Sequence, residues 1–516
     1  MNEIELKFQI PPGQAAAVAR AVGTATARQI RLQAAYADTP DRRLAGAGLA
    51  LRLRREGRQW VQTLKGRGDG LMARPEHEVA VAGGATLPAF DAQRHAGTPV
   101  GERLLALLAD GAPLEVLYRT DIRRTLRQVR SGGATVELAH DRGHISAGSQ
   151  RVGVDEIEFE LKAGPATALV GLAARWVARH GLWWDVRTKS ERGFRLAEGL
   201  VQVPAVHAAP SAVDKRQAAP QLLAAMLQAA LAQVLPNAAE IAGGSATPAH
   251  LHQLRVGLRR LRSMLREAAP LAGLAADDAR ALERAWAAPF AALGAARDAD
   301  VMAAGVGPEL DAALAAAGLP ALAWPAVAGQ GGAEPAALLR AGEVQALLLR
   351  SLGLALALEE PAAAPPPEAT LSGSAGMAPA AASGAAGRVD PATLAALLQP
   401  LWKRTRRGAR DIAAVEPEAL HSLRKRAKRL RYLIEALAPL LPRQRCKRTL
   451  AALKPALNRL GELNDLHTAH TRLAGHPEPG PSVWFAQGLL AERRRHALPA
   501  AQRALAAVFE APAPWR

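Results

Sequence analysis

Over the first two hundred residues, apolar and polar positions alternate in short runs that end at Gly, Pro or Asp. Beyond about residue 200, long Ala/Leu/Arg stretches place apolar residues every three to four positions. The first spacing sends alternate side chains to opposite faces of a strand, and the second builds amphipathic helices. The alternation predicts eight strands near residues 3–9, 31–38, 48–56, 58–66, 72–82, 115–130, 134–141 and 152–163. Helical stretches fall near 12–22, 98–110 and 165–181, and Ser131-Gly132-Gly133 reads as a hairpin turn. Eight antiparallel strands are enough to close a sheet on itself. The expected fold is α+β: an N-terminal eight-stranded antiparallel β-barrel over 1–200, a linker at 201–215 holding Pro204 and Pro210, and an all-α two-lobed helical bundle over 216–516. A Pro/Ala/Gly/Ser tract at 361–388 buries too little apolar surface to order itself and interrupts the helical part.

Composition sharpens this picture. With 516 residues the chain is too long for one core, and 49% hydrophobic with 22% charged residues excludes a wholly disordered or collagen-like chain. Aromatics are 4% of the residues, so Ala and Leu carry most of the packing, which favours helix. A single cysteine, Cys446, forbids an intramolecular disulfide and fits a reducing compartment. The start, Met1-Asn2-Glu3-Ile4-Glu5-Leu6-Lys7, lacks the basic and apolar regions of a secretory signal. The most apolar stretch, Leu222 to Leu235, is interrupted by Gln228 and Gln233, and no membrane span is expected. These features point to the cytoplasm. The net charge of +18 divides as +7 before residue 200 and +11 after it, so both parts attract anions: nucleic acid, phosphate polymers or acidic membranes.

The charged positions on the strands fall into same-face sets. Glu3, Glu5 and Lys7 oppose Ile4, Leu6 and Phe8; Arg52 and Arg54 oppose Leu51 and Leu53; Glu76 and Glu78 oppose Val79 and Val81. Arg119, Asp121, Arg123 and Arg127 oppose Ile122 and Leu126, Glu137 and Asp141 oppose Val136 and Leu138, and Glu156, Glu158, Glu160 and Lys162 oppose Ile157, Phe159 and Leu161. Glu-x-Glu-x-Lys at 3–7 returns at 158–162. Such sets suit either an open sheet with one wet face or a barrel with a charged lumen. Confined carboxylates repel one another unless divalent cations neutralise them, and confined Arg and Lys need an anion. A lumen holding both is complete with Mg²⁺ or Mn²⁺ and a condensed phosphate. His77, between Glu76 and Glu78, points outward, and Trp183-Trp184 either packs on the barrel or stacks on a base.

These residues, with Tyr36-Ala-Asp38-Thr39-Pro40-Asp41, Thr63-Leu64-Lys65 and Arg74-x-Glu76-x-Glu78, resemble the CYTH superfamily, the triphosphate tunnel metalloenzymes. The resemblance covers residues 1–200. It implies a tunnel that binds a triphosphate and a divalent metal, in enzymes that hydrolyse inorganic or thiamine triphosphate, cap RNA or cyclise ATP. By position it implies that Glu3, Glu5, Glu137, Asp141, Glu158 and Glu160 bind metal. Lys7, Arg52, Arg54, Lys65, Arg123 and Lys189 would hold phosphates, and Glu76 and Glu78 would orient basic residues or a second metal.

In the helical part, His252-Gln-Leu254-Arg255-Val-Gly-Leu-Arg259-Arg260-Leu261-Arg262 is nearly copied 169 residues later as His421-Ser-Leu423-Arg424-Lys425-Arg-Ala-Lys428-Arg429-Leu430-Arg431. Downstream, Leu293-Gly294 with Arg297-Asp298 corresponds to Leu460-Gly461 with Asn464-Asp465, which marks a duplicated unit. On a helix, His252, Arg255, Arg259, Arg262 and Arg266 form one stripe beside Leu251, Leu254, Leu258, Leu261 and Leu265. Like charges at this spacing repel, and a bound polyanion relieves them. The repeat resembles the CHAD domain, the conserved-histidine α-helical domain. That resemblance implies two helical lobes around a basic channel that binds inorganic polyphosphate through His252, Arg255, Arg259, Arg260, Arg262, His421, Arg424, Lys425, Lys428, Arg429 and Arg431. A DNA-binding reading does not explain the fusion to a triphosphate tunnel.

The function expected is metal-dependent hydrolysis of inorganic triphosphate beside a polyphosphate-binding module, in the cytoplasm and at polyphosphate granules. The alternatives are an ATP cyclase, a thiamine triphosphatase, or an idle polyphosphate adaptor.

Overall fold

The computed structural model describes residues 2–68, 70–294, 305–322, 324, 334–360, 389–410, 412 and 417–515. The tract 361–388 and the Arg297-Asp298 pair lie outside the described residues. Every predicted strand is present: β1 (Asn2–Gln9), β2 (Arg28–Asp38), β3 (Leu49–Glu56), β4 (Gln59–Gly66), β5 (Ala73–Val81), β6 (Glu115–Ser131), β7 (Ala134–Ala147) and β8 (Gln150–Ala163). They pair antiparallel in the order β5-β4-β3-β2-β6-β7-β8-β1, and β1 returns to β5 through Glu3↔Arg74, which closes the barrel. A two-residue strand, β9 (Trp183–Trp184), joins β1 beside Phe8.

Alternation makes one face of each strand apolar, and here that face is mostly the outer one. Leu6, Phe8, Leu51, Leu53, Leu64, Leu138 and Phe159 are all buried. Helices α1 (Ala15–Val22), α3 (Pro99–Leu107) and α4 (Ala166–His180) cover them, after a single helical turn α2 (Arg43–Gly46). Val100 and Leu104 of α3 pack on Leu49, Leu51 and Leu64, and Trp176 of α4 meets Phe159 edge-on at 5.8 Å. Each such large apolar side chain contributes about 1.5–3 kcal/mol by leaving water. Covering the outside with helices leaves the inner face free to be polar.

The inner face is zoned. Toward one end of the barrel Leu32, Ala34, Tyr36, Tyr118, Ile122, Ile145, Ala147 and Val154 form an apolar plug, packed under Phe194, Leu196 and Ala197 of helix α5 (Lys189–Ala197). Charged residues occupy the rest. The zoning corrects the face assigned to β6. Tyr118, Thr120, Ile122 and Arg124 point inward, while Arg119 and Arg123 are exposed and Asp121 pairs with the exposed Arg31.

Ten further helices complete fifteen among the described residues: α6 (Ala219–Gly243), α7 (Pro248–Glu267), α8 (Ala276–Ala285), α9 (Val306–Ala316), α10 (Pro335–Arg340), α11 (Gly342–Glu359), α12 (Pro391–Arg410), α13 (Pro417–Leu437), α14 (Arg443–Ala474) and α15 (Pro481–Glu510). Two compact units emerge. One comprises Met1–His207, Leu231–Leu254 and Pro335–Ala357; the other comprises Ala208–Ala230, Arg255–Glu334 and Leu358–Arg516. Helix α6 runs 25 residues through both glutamines and Pro236, so by length and composition it is able to cross a membrane, against the expectation above. Its most apolar window is 78% buried inside the protein, where the Gln233 side chain donates to Gln253 and the Asn237 side chain to the Val206 carbonyl.

Candidate active site

β-Pairing brings residues distant in sequence into one lumen. The register sets Glu5 opposite Glu160 and Lys7 opposite Glu158 on β8, which in turn face Glu137 and Ala139 on β7. Across the barrel, Arg52 of β3 faces Thr63 of β4, and Lys65 of β4 faces Glu76 of β5.

On the β3–β5 wall Lys65 Nζ lies 2.7 Å from Glu3 and 2.9 Å from Glu76. Arg52 is 3.5 Å from both Glu76 and Glu78, and Arg54 pairs with Glu56 and Glu78. Glu3 and Glu76 also share a hydrogen bond. Burial works to raise Glu3, but Lys65 and that bond hold it at about 2, while burial and the same bond push Glu76 up to about 7. On the β7–β8 wall Asp141 and Glu156 are fully buried. Arg124 binds Asp141 with both prongs at 2.6 Å and reaches Glu158 as well. Lys189, the first residue of α5, sets its ammonium among three carboxylates, 2.7 Å from Asp141 and from Glu158 and 2.5 Å from Glu156. Lys7 and Arg192 complete the ring around Glu156 at 3.5 and 3.1 Å. Between the walls, Glu5 makes no salt bridge or side-chain hydrogen bond among the described residues, and burial together with Glu158 and Glu3 raises its carboxyl.

The second unit gathers its own cations. Arg259 and Arg424 lie close enough to lower Lys428, whose ammonium is driven down to about 6 by burial first and by these two arginines next. Arg255 stacks on the Phe290 ring at 4.8 Å, as does Arg262 at 5.2 Å. Four motif arginines have carboxylate partners that the repeat itself did not contain: Arg262 with Glu283, Arg429 with Glu267, and Arg260 and Arg431 with Glu435. His421 meets Asn464 at 2.7 Å, His252 and Lys425 are exposed, and the apolar stripe from Leu251 to Leu265 is buried as expected. The glycines of the repeated Leu-Gly pairs each face the same arginine of their repeat. A Cβ at Gly294 would stand 2.6 Å from the Arg255 guanidinium, so this glycine makes room for the arginine, whereas one at Gly461 would meet the equivalent Arg424 at an ordinary 3.5 Å.

The model of the CYTH domain matches residues 1–182, and that of the CHAD domain matches residues 225–474. The chain joins a CYTH domain to a CHAD domain. Among curated proteins it resembles an inorganic triphosphatase of Haemophilus influenzae, 29% identical over 206 residues, which are 38% of this chain. The match spans 55% of that relative, so the chain covers about half its length. Among solved structures, the CHAD domain of the plant Ricinus communis is 25% identical, covering 60% of this chain and 98% of its own, at a TM-score of 0.43. A Hippeastrum protein named as an adenylyl cyclase with a dominant triphosphatase activity is 16% identical, covering 38% of this chain and 96% of its own, at 0.28.

Within the CYTH domain, the tertiary structure redistributes the residues that resemblance supplied. Arg123 is a correction: it faces solvent, and its neighbour Arg124 enters the lumen, because the inward side of β6 begins as plug and only then turns charged. Lys189 is the first residue of helix α5. The six expected metal ligands separate: Glu3 sits with Lys65, Glu5 stands between the walls, and Glu137 and Glu160 share Lys162 at 3.4 and 2.6 Å. Asp141 and Glu158 come together with Glu156, and ligand oxygens of these three lie within 4.8 Å of one another. Glu156 belonged to the same-face set on β8 but not to the expected ligands, and the signal available was its place on the Glu-x-Glu-x-Glu alternation. His77 lies on the outer face, its Nδ1 2.9 Å from that of His95, and both tryptophans of β9 are packed.

The CYTH site can hold a divalent cation by its donor chemistry. The trio offers hard oxygen ligands, and Glu5 stands nearby without a salt bridge among the described residues, its carboxyl raised by burial and by Glu158 and Glu3.

Proposed function

We propose that the protein is a divalent-metal-dependent inorganic triphosphatase, with a polyphosphate-binding CHAD domain on the same chain. The observation that carries the reading is the closed lumen in which Glu3, Glu5, Asp141, Glu156 and Glu158 share one buried space with Lys7, Arg52, Arg54, Lys65 and Arg124. Neither set is at ease alone. The unpaired Glu5 asks for a cation, and Arg52 and Arg54, whose Nε atoms are buried without partners, ask for an anion.

Lys7, Arg52, Arg54, Lys65 and Arg124 would grip the phosphate oxygens and hold the chain of phosphates along the tunnel. Asp141, Glu156, Glu158 and Glu5 would hold Mg²⁺ or Mn²⁺, which when bound supplies charge neutralisation at the phosphoryl group and a more acidic water. The guanidiniums would stabilise the negative charge that grows on the phosphate oxygens as the diphosphate leaves. Helix α5 and the apolar plug keep bulk water from one end.

An unsubstituted triphosphate is favoured over ATP or thiamine triphosphate by the placement of the aromatics. Among the described residues of the CYTH domain, Tyr36 and Tyr118 stack on each other at 4.6 Å within the plug, while Phe8, Trp60, Phe159 and Trp184 pack on the outer face. Of these rings Tyr36 borders the charged stretch, where it hydrogen-bonds Arg52, and its face is already taken by Tyr118 rather than open to an organic group. In the CHAD domain the cluster of Arg255, Arg259, Arg424 and Lys428 would bind polyphosphate in a reducing cytoplasm, raising the local supply of short chains.

The test is turnover of tripolyphosphate, thiamine triphosphate and ATP with Mg²⁺ or Mn²⁺, with and without chelator, following phosphate, diphosphate and cyclic AMP. Metal-dependent phosphate release fastest from tripolyphosphate is expected. Replacing Glu5 with Gln should reduce it about a hundredfold or more. The same Glu5→Gln change should leave the metal-free fold as stable or slightly more so, since it removes an unpaired buried charge. Cyclic AMP as the main product, preference for thiamine triphosphate, or no turnover by the wild type would each sink the reading.

A further inference from the structure

Helix α6 places a buried carboxylate behind the capping helix of the tunnel. Glu240 is 3% exposed, and the phosphohydrolase reaction has no use for it. It belongs, with residues 231–254, to the same compact unit as the barrel. A carboxylate at such depth persists only inside a set of charged and hydrogen-bonding partners. Glu240 Oε1 lies 2.7 Å from Arg195 Nη2. Its Oε2 accepts from the Ser245 hydroxyl and lies 3.7 Å from Arg187 Nη1.

The two arginines lead back to one lumen carboxylate by separate routes. Arg195 is on α5, whose Lys189 and Arg192 reach Glu156 at 2.5 and 3.1 Å. Arg187 grips Asp185 at 2.8 and 2.9 Å, Asp185 accepts from the Gln9 amide at 3.1 Å, and that amide also donates to Glu156 at 3.0 Å. The seat for Arg187 is shaped by α6 itself. A Cβ on Gly243 would fall 2.3 Å from the Arg187 guanidinium, which would then have to leave this position.

We propose that Glu240 is a positioning residue for the tunnel: by holding Arg187 and Arg195 it fixes α5, so that Lys189 and Arg192 stand at Glu156. A segment outside the CYTH domain thereby completes the triphosphate site. The kinetic readout rests on the triphosphatase reading, and the binding readout does not.

The experiment uses the full chain in four forms: wild type, Glu240→Gln, Lys189→Met and the double variant. Tripolyphosphate binding is measured by calorimetry and hydrolysis by kcat and KM. Glu240→Gln is expected to weaken binding and lower kcat/KM by about tenfold or more, as misplacement of a supporting group does. The loss should divide between kcat and KM as it does in Lys189→Met, whereas a smaller folded fraction lowers kcat alone. In the Lys189→Met background Glu240→Gln should cost clearly less than it does in the wild type, because the share of its effect that runs through Lys189 is already lost. Losses that multiply in the double variant, or a Glu240→Gln protein with wild-type binding, overturn the proposal. If Glu240→Gln does not fold, Arg195→Gln, which cuts the α5 route alone, takes its place in the same cycle under the same criteria. A wild type that binds tripolyphosphate without hydrolysing it refutes the triphosphatase reading, and the calorimetric cycle still decides on Glu240.

Discussion

Lys428 shows how far one residue can be moved by its surroundings. Burial, then Arg259 and Arg424, take its ammonium from 10.5 to about 6, with Asp465 opposing only in part. Between these values the unfolded chain binds the proton that the folded chain has given up, so the ligand-free CHAD domain gains stability as pH rises through this window. A polyanion reverses the balance, since it favours the charged amine. Polyphosphate binding near neutral pH should therefore take up about one proton and weaken as pH rises past the folded pKa. Calorimetry in two buffers of different ionisation heat measures this uptake, and Lys428→Met should abolish it. Equal heats in both buffers for the wild type would show that Lys428 lies outside the anion site.

At the scale of elements, both successes and errors trace to how one face of a strand or helix is filled. Strands β1, β3 and β5 keep one chemistry along each face, and alternation assigned them correctly. On β6 the inward face passes from Tyr118 and Ile122 to Arg124, so the apolar residues that usually mark a core belong to the plug, and the solvated Arg119 and Arg123 imitate a lumen set. In the helical repeat, the stripe of cations was legible from spacing, but the carboxylates that tie down Arg260, Arg262 and Arg429 arrive from other parts of the chain. The repeated glycines give an element-level prediction. Gly294→Ala forces the Arg255 guanidinium to move, because its Cβ would sit at 2.6 Å, whereas Gly461→Ala meets Arg424 at an ordinary 3.5 Å. Polyphosphate affinity should fall several-fold, about 1 kcal/mol, in the first variant and stay near wild type in the second. Equal effects in the two repeats would contradict this account.

The whole molecule does not divide where composition changes. Residues 231–254 and 335–357 are helical in sequence character, yet they pack in the same unit as the barrel. Gln345 accepts from the Trp184 amide at 2.8 Å, Arg340 lies over the Trp183 ring at 5.5 Å, and Glu240 holds Arg187 and Arg195. A chain cut at residue 200 would keep every strand but strip these partners. Its barrel should unfold with a lower midpoint, because the apolar cover over Trp183 and Trp184 and the partners of Arg187 and Arg195 leave with the removed segments. Tryptophan fluorescence during thermal unfolding of the short and full chains would measure the difference, and an unchanged midpoint would deny the shared unit. By itself the sequence determined the strand count, the helical repeat, the inward chemistry of most strands and the two families, because periods of two and of about 3.6 residues and local motifs are written residue by residue. Tertiary structure alone decided which carboxylates meet, that Arg124 rather than Arg123 enters the lumen, that Lys189 sits among Asp141, Glu156 and Glu158, and that Glu240 stands behind them. Those outcomes depend on register, on closure and on tertiary packing, and the terms that set them join residues tens of positions apart only after the chain has folded.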